Sequence, residues 1–137
     1  MLYRICAGLL LLAAVGHTLG GMLGTARRGP KAGPEAEHVF SLMKSVHFKW
    51  QGADTTWFDF WLGNGLCVSA FMVTTIIALW VLGGLDSTQR TALLPLAWGA
   101  FASLALTSLL GFKYFGPRAG VVFGLIAILT GIAIFVA

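Results

Sequence analysis

Four long apolar stretches, separated by short polar segments, dominate the chain: Ile5 to Leu23, Trp57 to Leu82, Leu93 to Phe112 and Ala119 to Ala137. A helix needs about 20 mostly apolar residues to cross the hydrocarbon of a bilayer, and each stretch is of that order. The interruptions carry turn and breaker residues: RRGPKAGPE, GGLDSTQR and KYFGPR. A segment in hydrocarbon must satisfy its own backbone polar groups, so the pattern predicts four transmembrane helices in a compact all-α bundle. The whole chain, 1–137, reads as one membrane domain.

Between the first two stretches the period changes. Pro34 suits a first helical position, and Glu35 and Glu37 favour the first turn of a helix. At 100° per residue, Val39, Phe40, Met43, Val46 and Trp50 gather on one side, with His47 among them. Glu37, His38, Ser41, Lys44, Ser45 and Lys49 take the other side. This predicts an amphipathic interfacial helix over about 34–50.

Composition sharpens the membrane assignment. Hydrophobic residues make up 58% of the 137 and charged ones 10%, with a mean hydropathy of +0.86. Soluble domains carry roughly 25% charge, so a water-facing globule is excluded. The nine basic residues form no stripe and accompany no nucleic-acid motif, so no nucleic-acid partner is expected. Their placement sets topology instead. Arg27, Arg28, Lys31, Lys44, Lys49, Lys113 and Arg118 lie in the first and third connections, against Arg4 and Arg90 on the other side. That bias predicts those connections in the cytoplasm and both termini outside. Tyr3, Trp80 and Trp98 mark one aromatic belt; Trp50, Trp57, Trp61 and Tyr114 mark the other. A signal peptide in MLYRICAGLLLLAAVG is the rival reading, but it would send the cation-rich loop outside and no clean small-x-small site follows.

Helices in lipid associate through close backbone approach and polar contacts. Small residues recur at four-residue spacing: Gly16, Gly20 and Gly24; Gly65 and Ser69; Gly99, Ser103, Thr107 and Gly111; Gly120 and Gly124. These predict the packing ridges. Cys6 and Cys67 form no CxxC and fall within apolar runs, so they read as inert buried thiols.

The unusual polar groups crowd toward one end of the spans. His17 lies roughly 10 Å from the cytoplasmic end of the first helix at 1.5 Å per residue. Asn64 is about as deep on the second helix, and Asp59 is shallower, set among Trp57, Phe58, Phe60 and Trp61. Lys113, Tyr114 and Arg118 close the same side, where His47 faces inward from the interface. Each has two readings. Thr56-x-x-Asp59 matches a capping box, yet Asp59 is also a candidate inward carboxylate opposite His17, Lys113 or Arg118. His17 is either a satisfied structural histidine or an acid/base or ligand-binding group. Asn64 is interhelical glue or a site residue; Lys113 and Arg118 are topology charges or ligand contacts; Trp57 and Trp61 are belt residues or pocket walls. A metal held by His17, His47 and Asp59 would need three elements to converge without a local motif, so none is expected. No cofactor motif is present.

At GHTLG (Gly16 to Gly20) and WFDFWLGNGL (Trp57 to Leu66) the chain resembles a family of small bacterial four-helix membrane proteins of uncharacterised function. That family pairs a Gly-His-Thr motif in the first helix with an aromatic-Asp-aromatic stretch and spaced glycines opening the second. The resemblance implies the fold, a bacterial inner-membrane location and interest in His17 and Asp59; it implies no activity. Small multidrug transporters need a first-span glutamate, vitamin K epoxide reductases a CxxC and glutathione-using eicosanoid enzymes a Glu-Arg-rich second helix. All three features are absent here.

Three functions are compatible with the sequence. One is a binding or sensing protein whose cytoplasmic-half pocket, lined by His17, His47, Trp57, Asp59, Trp61, Asn64, Lys113, Tyr114 and Arg118, takes a small apolar molecule or a membrane lipid with a polar end. Another is an enzyme on a lipophilic substrate, with His17 and Asp59 as the catalytic acid/base pair. The third is a structural or accessory subunit, or a transporter built from dimers; homo-oligomerisation fits any of them.

Overall fold

The computed structural model describes residues 1–136, and it is all-α apart from one short strand pair. Four helices are long and apolar enough to cross a membrane: α1 (Leu2–Arg28), α3 (Trp57–Leu82), α5 (Leu94–Phe115) and α6 (Pro117–Val136). Two shorter helices, α2 (Pro34–Ser45) and α4 (Ser87–Ala92), and two strands, β1 (His47–Trp50) and β2 (Ala53–Thr56), fill the connections. The protein is therefore a multi-pass membrane protein, with spans close to those the hydropathy pattern predicts. The chain divides into two compact units. One comprises Met1–Ala13 and the chain from Met72 onward; the other is Ala14–Phe71.

In the first unit, α5 and α6 form a helical hairpin. Ala97, Ala100, Leu104, Ser108 and Gly111 are buried along α5 at three- and four-residue steps, which places them on one face. Gly120, Ile126, Ala127, Thr130 and Ala133 are buried on α6. The two backbones nearly touch at Gly111, where an added Cβ would lie 2.9 Å from the Gly120 nitrogen and 3.1 Å from its Cα. The Ser108 hydroxyl donates to the Gly120 carbonyl at 2.7 Å. Gly116, at φ 91°, reverses the chain, and Pro117 starts α6 where an amide would have no partner. The hydroxyls of Thr107 and Thr130 bond the carbonyls four residues earlier, so neither is left unsatisfied.

Tyr3, Cys6, Ala7 and Leu10 are buried along the start of α1. The Arg4 guanidinium lies 5.4 Å from the Trp80 ring centroid, and Gly83 leaves room for the Arg4 side chain and backbone. Asp86 caps α4 in a reciprocal box with Gln89, a signal the DSTQ sequence carried but which reads at first as mere punctuation.

Several expectations are corrected. The helix predicted to run to Trp50 ends at Ser45, and His47–Trp50 instead pairs antiparallel with Ala53–Thr56. Gln51 and Gly52, at φ 50° and 88°, form the two-residue left-handed turn that matches strand twist. His47 consequently sits on an exposed strand and not on a helix's apolar face. The small-residue ridges also shift: Gly16, Gly20 and Gly99 have open space around them, whereas Gly65, Gly111, Gly120 and Gly124 are closely packed. Cys67 is exposed, unlike Cys6, and Tyr3 is buried where a belt residue would be exposed. Hydrocarbon is as apolar as a protein core, so an apolar run does not distinguish an inward face from a lipid-facing one.

The contact at Gly111 yields a stability test. Gly111→Ala must push helix backbones apart and is expected to cost about 1–3 kcal/mol, the usual range for overpacking. Gly99→Ala meets nothing and should be neutral or gain up to about 1 kcal/mol through helix propensity. Thermal unfolding in mild detergent, followed by helical circular dichroism, checks both.

Candidate functional site

The second unit holds most of the singled-out residues. Residues Gly16–Leu23 of α1 are π-helical, with bonds running i→i+5, and so are Gly111–Phe115 of α5. The wider turn brings residues five apart onto one face. His17 and Met22, which an α-helix would separate, both reach Gly65 of α3. The His17 Nε2–H donates to the Gly65 carbonyl at 3.1 Å, which fixes the proton on that nitrogen. Met22 packs over the Gly65 Cα, so closely that any side chain at position 65 would meet its thioether. The Ser69 hydroxyl donates to the same carbonyl at 3.2 Å and accepts from Thr18 at 2.8 Å. His17, Thr18 and Ser69 thus form one small network around a single carbonyl. Glycine at position 65 is what allows the approach.

Asp59 answers a different need. Its Oδ2 accepts from the Thr56 amide at 3.2 Å and from the Thr56 hydroxyl at 2.6 Å, while the Thr56 hydroxyl oxygen accepts the Asp59 amide at 3.1 Å. This is the capping box the spacing predicts, closing the exposed amides at the start of α3. Asp59 and Gly65 are six residues apart, about 120° apart around the helix at 100° per residue. His17 therefore docks on one side of α3 and Asp59 projects from another. No hydrogen bond joins the two proposed acid/base partners. The Asn64 side chain is exposed.

The aromatic residues around Asp59 split into two groups. Phe40 of α2 meets Phe58 and Trp61 edge-on, with centroids 5.4 and 5.9 Å apart, and Phe58 lies 5.9 Å from Trp61. The Lys44 ammonium sits 4.8 Å from both the Phe40 and Phe58 centroids, a cation held over two ring faces. Trp57 turns the other way, 4.6 Å from Phe48 of β1 and 6.2 Å from Phe60; Phe60 also lies 5.7 Å from Trp50. Trp57 and Trp61, treated together by sequence, thus belong to separate clusters.

His47 pairs with Asp54 across the hairpin at 3.5 Å, both exposed. In the first unit, Lys113 lies 5.1 Å from the Tyr114 ring centroid, and Lys113, Tyr114 and Arg118 are all exposed. Among the described residues no three His, Cys, Asp or Glu side chains gather as a metal would require. Sequence reasoning missed Lys44 and Phe40 as partners of the Trp57–Trp61 segment, although the i, i+4 spacing of the two residues on a helix is their one local signal. No protein-family model, curated protein or solved structure matches the chain.

The capping box carries a prediction. Thr56→Ala and Asp59→Ala should each lower stability by about 0.5–2 kcal/mol, as loss of an N-cap does. Because the two side chains serve each other, the double variant should fall well short of the sum. Denaturation of the three variants in detergent measures the shortfall.

Proposed function

We propose that this is a bacterial inner-membrane protein that binds a small apolar molecule or a membrane lipid with a polar end, using the segment from α2 to the first turns of α3. The single observation behind this reading is the group of Phe40, Phe58 and Trp61 with Lys44 laid against two of the rings. Apolar ring faces suit a chain or a ring system. An exposed ammonium over two of the rings suits a polar or anionic end. Asn64, exposed on the second turn of α3, adds a donor and an acceptor at membrane depth. His17 supports the binding region by locking α1 to α3 at Gly65 and is not itself assigned to the ligand. The charge bias among connections supports a cytoplasmic position for this region, with both termini outside.

An acid/base enzyme is less well supported. The Asp59 carboxylate is engaged in its helix cap, the His17 Nε2–H of α1 is committed to a backbone carbonyl of α3, and the two lie on different sides of α3. A structural or accessory subunit is the second reading, favoured by that same engagement of His17, Thr18 and Ser69 with one another.

Gentle extraction followed by native mass spectrometry tests the binding. The wild-type protein should retain a lipid or small apolar molecule, and Lys44→Ala combined with Phe58→Leu should lose most of it while remaining folded. Equal retention by both, or none by the wild type, overturns binding and leaves the accessory reading. In that case His17→Leu should change stability alone, by the order of 1 kcal/mol typical of a hydrogen bond between membrane helices.

A further inference from the structure

The hairpin that replaces the end of the predicted helix has two chemically different faces. Directly opposed residues in an antiparallel pair point the same way, so the register places Phe48, Trp50, Ala53 and Thr55 on one face. His47, Lys49, Asp54 and Thr56 occupy the other. The His47–Asp54 contact at 3.5 Å is the diagonal pairing such a face allows. The aromatic face continues without a break onto α3. Phe48 lies 4.6 Å from Trp57 and 6.3 Å from Phe60, and Trp50 lies 5.7 Å from Phe60. These rings do not form a closed core: Trp50 is 54% exposed and Trp57 51%.

We infer that this aromatic face docks into the headgroup layer of the bilayer, so that the hairpin lies along the membrane surface as an in-plane anchor. Attachment decides its depth. Thr56 ends β2 and Trp57 begins α3, with no linker between them, and the Thr56–Asp59 box holds the junction. Trp57 and Phe60 stand on the first turn of a 26-residue apolar helix, which places them at the boundary of the hydrocarbon. Rings packed against them share that level. A two-stranded hairpin has unpaired backbone groups on both edges, which hydrocarbon would leave unsatisfied; the headgroup layer supplies water for them. It also supplies what an isolated hairpin lacks, an apolar surface to lie on. The opposite face, with His47, Lys49 and Asp54, is left to water. This placement does not depend on the Phe40–Lys44 group holding a ligand.

Nitroxide scanning in lipid bilayers tests the placement. In a Cys67→Ala background, single variants Phe48→Cys, Lys49→Cys and Trp50→Cys are spin-labelled. Their collision rates with oxygen, which concentrates in lipid, and with a water-soluble nickel chelate are then compared. The expected result is alternation: oxygen dominates at 48 and 50, and the chelate dominates at 49. Chelate access at all three positions means the hairpin stands in water, and shielding from both reagents at 48 and 50 means protein covers the face. Either result overturns the inference. Should the cysteine variants fail to fold, headgroup-proximal brominated lipids provide a second measurement on the intact chain and on Trp50→Phe. Strong quenching of the emission lost in Trp50→Phe supports docking, and an unquenched Trp50 contribution overturns it. Native mass spectrometry of bound ligand reads none of these outcomes, so the two proposals fail separately.

Discussion

Hydrocarbon offers no hydrogen-bond partner, and everything in this structure follows from how the chain answers that constraint. Backbone groups are answered by the helices themselves. Side chains are answered locally: Thr107 and Thr130 return to carbonyls of their own helices, and Ser108 reaches the carbonyl of its neighbour. The most elaborate answer surrounds the Gly65 carbonyl, which receives the imidazole of His17 and the hydroxyl of Ser69. Such bonds add little individually in a membrane, on the order of 1 kcal/mol, because the separated helices also find partners. Their value here is positional, since they fix which faces of α1 and α3 meet.

Glycine makes those meetings possible in two different ways. At Gly111 the absence of a side chain lets the α5 and α6 backbones approach. At Gly65 it makes room for a thioether and leaves a carbonyl accessible to an imidazole. Other glycines, such as Gly16 and Gly20, face open space within the π-helical stretch and make no such close approach.

How much of this was legible in the sequence depends on which solvent each feature answers to. The spans were legible because hydropathy reports lipid against water directly. The Thr56–Asp59 box was legible because a cap is a matter of a few adjacent residues. The faces of the spans were not. Lipid and core reward the same residues, so Cys67 and the ridge through Gly99 and Ser103 could not be told from buried positions. The hairpin was hidden by coincidence: Val46 and Trp50 continue the helical period of Val39 and Met43, while His47-Phe48-Lys49-Trp50 also alternates at the strand period. The Gln51–Gly52 turn decides between them. For the candidate site, Trp57, Asp59 and Trp61 stood out by type, but their division between two clusters depended on Phe40, Lys44 and Phe48, which come from other elements.

The direct junction of hairpin and helix has a mechanical meaning. At 1.5 Å per residue, α3 is about 39 Å long, against roughly 30 Å of hydrocarbon, so it must lean or extend beyond the membrane. With Thr56 and Asp59 clasped at the joint, a change in that lean has no slack to absorb it and swings the hairpin along with the helix. A thicker or thinner bilayer thereby becomes an angular displacement of the rings carried by β1.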